Sequence, residues 1–116
     1  MRLDIAEREE DGWIIFSLAG SIDNYTANDF RERVEGRMRD VGKGIILDCS
    51  GLNFVSSAGL RVFVILAKQV AASDNRNLLT VSNVRPTLMR FFEVAGVGGM
   101  LRFVPSLDIA MNPKPV

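Results

Sequence analysis

The chain has 116 residues, 47% of them hydrophobic and 24% charged, a profile that fits one soluble globular domain around one core. Fourteen basic residues balance fourteen acidic ones, which argues against nucleic acid as the main partner, because phosphate contacts need a basic excess. The single Cys49 allows no intrachain disulfide, and the longest apolar run, Val62 to Ala67, is far too short for membrane insertion.

Met1 to Glu10 is charged and lacks an apolar h-region, so no signal peptide is expected, and Cys49 reads as a buried thiol in a cytoplasmic protein. Arg2 to Ala6 and Trp13 to Ser21 read as two strands joined near Asp11-Gly12 in a hairpin. The second is apolar on both alternations, which predicts a central strand. Thr26-Ala27-Asn28-Asp29 has capping-box spacing and opens a helix with the apolar stripe Phe30, Val34, Met38 and Val41. Asp29/Arg33 and Glu35/Arg39 are i,i+4 pairs on its solvated side, and Gly42 and Gly44 end it.

Gly44 to Cys49 reads as a third strand. The stretch from Leu47 to Leu60 then reads as a strand end, a tight loop over Ser50 to Phe54, two adjacent serines and a helix start. That helix is expected over Ser57 to Ala72. Asn75 to Asn77 turn the chain into a fourth strand, Leu78 to Ser82. Pro86 to Ala95 is a third helix with Leu88, Phe91, Phe92 and Ala95 on one side and Gly96 as its stop. Leu101 to Val104 is a short last strand, and Ser106 can cap one further helical turn. Long strand–helix–strand connections imply parallel pairing through right-handed crossovers. The expected fold is α/β: a mixed four- to five-stranded sheet, hairpin first and parallel β-α-β units after it, packed with about four helices. Residues 1–112 form one domain and residues 113–116 a frayed tail.

On the second helix Ser57, Arg61, Lys68 and Ala72 share one narrow sector, while Gly59, Val62, Phe63, Leu66 and Val70 lie opposite and should be core. Ile65 and Val64 flank the polar sector. The stripe Ser57, Arg61, Ile65, Lys68 is therefore either a solvated face with one stray apolar residue or a docking face.

No histidine exists to activate a serine as a nucleophile, and there is no Walker loop or metal-ligand cluster, so no catalytic residue, cofactor or metal is expected. Gly96-Val97-Gly98-Gly99 lacks the spacing of a dinucleotide loop. A serine at a helix N-terminus does sit beside free backbone N–H groups and the positive end of the helix dipole, a place that tolerates a phosphate. Ser57 is thus either only a helix-start residue or a switch candidate, with Ser56 as the alternative hydroxyl, and Arg61 lies one turn beyond Ser57. Asp48 at a strand end either bonds nearby N–H groups or serves an interface, and Asp23 either pre-caps the first helix or serves the same interface.

Leu47-Asp48-Cys49-Ser50 and Ser56-Ser57-Ala58-Gly59-Leu60 resemble the core of the STAS family, the sulfate-transporter and anti-sigma-factor-antagonist domains. That core is a strand ending in Asp-x-Ser, a short spacer, then commonly Asp-Ser-Ser-Gly or Asp-Ser-Ala-Gly-Leu. Gly20-Ser21-Ile22-Asp23 resembles the family's Gly-x-Leu-Asp segment, and the chain looks most like the stand-alone bacterial anti-sigma factor antagonists. The resemblance implies a non-catalytic binding module with Ser57 as phosphoacceptor and Asp23 and Asp48 at one end of the sheet. The implied partners are an anti-sigma factor, usually a GHKL-type serine kinase, and a metal-dependent Ser/Thr phosphatase. The residue before the acceptor, often acidic in the family, is Ser56 here. A constitutive STAS subunit of a transporter or other regulatory complex is the alternative role.

Overall fold

The computed structural model describes residues 2–40, 43–73 and 78–112. The expected stripe residue Val41, the stop Gly42, the Asn75 to Asn77 turn and the tail 113–116 lie outside the described residues.

Strands β1 (Leu3–Glu10) and β2 (Trp13–Ile22) form the expected hairpin. Asp11 and Gly12 have φ of 53° and 84°, the pair of left-handed residues that a type I′ turn requires. β1 runs past Ala6 to Glu10 because the acidic residues of this edge strand find cations. Arg37 reaches Glu7 at 2.6 Å and Glu9 at 2.8 Å, and Lys43 reaches Glu9 at 2.6 Å. The bond to Lys43 does most to hold the Glu9 carboxyl below its ordinary range.

β3 (Gly44–Val55), β4 (Leu79–Ser82) and β5 (Arg102–Val104) complete a five-stranded sheet in the order β1-β2-β3-β4-β5. Among the described residues only the β1–β2 pair is antiparallel. Helices α1 (Ala27–Met38), α2 (Ser57–Ala72) and α3 (Pro86–Val94) lie on one face, where Phe30, Val34, Phe63, Leu66, Leu88 and Phe92 bury against Ile14, Phe16 and Leu47. The short α4 (Leu107–Met111) covers part of the other face, where Ile15 and Ile46 meet Ala110 and the Trp13 indole donates to the Met111 carbonyl at 3.1 Å. β2 is therefore apolar on both alternations because both of its faces are covered.

Phe63 sits 5.6 Å from Phe30 and 4.8 Å from Phe92 between ring centroids, so one side chain of α2 ties all three helices together. Each such pair contributes about 0.5–1.5 kcal/mol beyond area burial.

Three local expectations change. The helix begins after Thr26 as expected, but the Thr26 hydroxyl does not cap forward. The reciprocal box lies three residues upstream: the Asp23 N–H donates to Thr26 Oγ1 at 2.9 Å and the Thr26 N–H donates to Asp23 Oδ1 at 3.1 Å. Glu35 pairs with Arg31 at 3.0 Å, not with Arg39, because it turns toward α2 and accepts from Gln69 Nε2 at 2.6 Å; Asp29/Arg33 makes no ion pair among the described residues. On α3, Leu88 and Phe92 take the core line, while Phe91 stays at the rim and Ala95 becomes the C-cap, followed by Gly96 at φ 83°.

Candidate functional site

The segment expected as a tight loop is strand. β3 continues through Ser50 to Val55 and carries two extra residues relative to β2. Ser17 pairs with Asp48 but Ala19 with Gly51, and Gly20 pairs with Leu52 but Ser21 with Phe54. Each shift is a β-bulge, which re-aims the side chains that follow. Cys49, Leu52 and Val55 consequently all face the core at a spacing of three. That spacing breaks strand alternation, which is why the sequence pattern did not reveal the strand. Asp48 Oδ1 accepts the Ser50 N–H at 3.1 Å and so holds the backbone at the first bulge.

The bulged strand delivers α2 to its place. The Ser56 N–H donates to the Ile22 carbonyl at 2.8 Å, anchoring the helix start on the end of β2. Ser56 is the N-cap, and its Oγ accepts the Gly59 N–H at 3.2 Å. Gly59 packs so closely on β2 that a Cβ there would lie 2.7 Å from Ile22 Cγ2 and 2.9 Å from the Ile22 carbonyl oxygen. Ser57, the first helical residue, is exposed, and among the described residues its hydroxyl has no partner.

The turn after β2 builds the other wall. Asp23 Oδ1 accepts the Tyr25 N–H at 2.9 Å as well as that of Thr26. These bonds, the Tyr25 one foremost, hold its carboxyl below the ordinary range. Tyr25 itself is 92% exposed. Asn24, Asn28 and Arg31 face Ser57, Arg61 and Ile65 across a cleft of about 390 Å³ floored by Ala27, Ala58 and Val62. Among the described residues no carboxylate lines it. Arg31 is steadied through its Nε by Glu35, whose carboxyl is held below its ordinary range by the Gln69 bond first and by Arg31 next.

The structure thus gathers Ser57, Arg61 and Ile65 in one cleft, with Ser56 at the base of the helix and Asp23 beside the cleft residue Asn24. Lys68 continues the exposed stripe one turn beyond Ile65. Gly59, Val62, Phe63, Leu66 and Val70 are buried as their sector required. Asp48 lies apart. It shares the alternation of Ile46, whose side chain packs against α4, so it sits on the sheet face opposite α2. Asn24, Asn28 and Arg31 escaped sequence reasoning because nothing local says which helix neighbours α2. Tyr25 and the half-exposed Phe54 did leave a signal, each a lone aromatic residue in a polar or turn-like stretch.

The model of the STAS domain matches residues 4–110. The anti-sigma-B factor antagonist of Listeria monocytogenes is 33% identical over 112 residues, covering 95% of this chain and 93% of its own. Among solved structures, an anti-sigma factor antagonist from Mycobacterium paratuberculosis superposes with a TM-score of 0.81 at 22% identity, over 96% of this chain and 92% of that one. The Bacillus cell fate determinant SpoIIAA in its phosphorylated form superposes with a TM-score of 0.68 at 16% identity, over 96% and 97%.

Proposed function

The chain belongs to the STAS domain family, and on that premise we propose that it is an anti-sigma factor antagonist, a cytoplasmic binding module rather than an enzyme. Unphosphorylated, it binds an anti-sigma factor of the GHKL serine-kinase type over the start of α2 and so releases that factor's target. The kinase phosphorylates Ser57, the complex breaks, and a metal-dependent Ser/Thr phosphatase restores the binding form.

One observation carries this reading: of the two adjacent hydroxyls, Ser56 Oγ is committed to the Gly59 N–H while Ser57 stands exposed at the cleft. Modifying Ser56 would cost the helix its cap, and modifying Ser57 would not. A phosphate brings about −1.5 to −2 charge, which a partner covering this face would have to desolvate. Arg61, Ile65 and Lys68 continue the contact along α2, with Asp23 and the exposed Tyr25 in the turn that also carries the cleft residue Asn24. Large aromatic side chains supply much of the binding energy where they become buried. Asp48 supports the site through the β3 bulge.

The test uses the protein with a GHKL-type serine kinase from the same organism and Mg-ATP, read by intact and peptide mass spectrometry. One phosphate, lost in Ser57→Ala and kept in Ser56→Ala, is expected, with Ser57→Asp losing the kinase complex. No phosphate on any sample, with the kinase active on another substrate, would overturn the switch and favour a constitutive subunit.

A further inference from the structure

We propose that the cleft between α1 and α2 is a phosphate seat, in which Arg31 and Arg61 bind a phosphate on Ser57 from opposite walls. The inference rests on the reading of Ser57 as phosphoacceptor and adds where the phosphate goes and which residues receive it.

Arg61 lies four residues after Ser57 on the same helix face and lines the cleft. Arg31 comes from the other helix and lines the same cleft. Its Nε is bonded to Glu35 at 3.0 Å, and Glu35 is in turn held by Gln69 at 2.6 Å. That chain steadies the guanidinium, and among the described residues Nη1 and Nη2 remain without partners. Two guanidiniums thus border a cleft that no carboxylate lines among the described residues, and a guanidinium fork matches phosphate oxygens in a bidentate way. The open N–H groups of the first turn of α2 add to the same pull. The phosphate would then occupy both arginines, so the switch removes two cationic contacts from the docking face as well as adding an anion.

Cations around a phosphate favour its dianion, so the phosphoserine should titrate below its ordinary second pKa of about 6. The experiment is a 31P NMR pH titration at low salt of protein carrying phosphoserine at position 57 by directed incorporation, which needs no kinase. A phosphopeptide of residues 54–64 is the unfolded reference. The folded protein is expected to titrate about 0.5–1 unit below the peptide, and Arg31→Gln and Arg61→Gln each to move it back by several tenths.

Arg31→Gln is decisive, because Arg31 belongs to a different helix. It also frees the Glu35 carboxylate, so Arg31→Gln is compared with the Arg31→Gln/Glu35→Gln double variant. A rise that persists in the double variant assigns the effect to Arg31. A rise that vanishes there, an unchanged value in Arg31→Gln, or a wild type that titrates like the peptide overturns the seat. Circular dichroism of each variant checks the fold; if Arg31→Gln unfolds, Arg31→Met, which keeps a flexible stem and removes the charge, takes its place and should raise the value in the same way. Failure of the kinase to modify Ser57 would sink the proposed function and leave this titration fully readable.

Discussion

Replacing Gly59 by alanine tests how the site is held in place. A Cβ at this position would lie 2.7 Å from Ile22 Cγ2, 2.9 Å from the Ile22 carbonyl oxygen and 2.9 Å from Val55 Cγ1. Two of these atoms belong to stiff β-branched side chains in a closed core, and the third is backbone that also accepts the Ser56 N–H. On helix propensity alone, alanine would be favoured over glycine by about 0.8–1 kcal/mol. Overpacking a filled core costs about 1–3 kcal/mol. With three contacts under 3 Å the cost belongs at the upper end, leaving a net loss of about 1–2 kcal/mol, or roughly 4–8 °C in Tm for a domain of this size. Thermal unfolding by circular dichroism reads the loss, and faster amide exchange at Ser56 should accompany it as α2 is pushed off the Ile22 carbonyl. A Gly59→Ala protein as stable as wild type, or more so, would refute the claim that close packing of α2 on β2 dictates glycine here.

Ser56→Ala should cost about 1 kcal/mol through loss of the Gly59 cap, measured by urea unfolding, while leaving Ser57 exposed. Asp23→Ala should lower Tm at pH 7. Because the folded carboxyl titrates below its ordinary 3.8, its contribution is present above that value and lost as pH falls through the folded value. The Tm gap between Asp23→Ala and wild type should therefore close as pH falls below 3.8, as a pH series of melts would show. Burial, with the Asp48 charge adding to it, pushes the Cys49 thiol up, so a thiol reagent at pH 8 should label it only in denaturant, and prompt labelling of the native protein would contradict the packing.

Much of the architecture is written in local pattern. The Asp11-Gly12 turn, the doubly apolar β2 and the run from Ser57 to Ala72 each carry a complete signal of turn chemistry or periodicity. The polar stripe of α2 was equally legible, since a helix face follows from rotation alone. Illegible features were those where two segments meet. β3 hides its last six residues because the bulges turn alternation into a spacing of three, and those bulges exist only against β2. β1 hides its acidic half because its stabilising cations come from α1 and from Lys43.

The sequence by itself determined the order of strands and helices, which side of α2 is core, and that a serine with no histidine to activate it stands at a helix start. Those properties depend on neighbours within one or two turns of chain. Only the tertiary structure decided that Ser56 caps while Ser57 stays free, that Asp48 lies on the sheet face away from α2, and that Arg31 faces Arg61. These depend on strand register and on which helix packs beside which, and both are settled by burial of the common core.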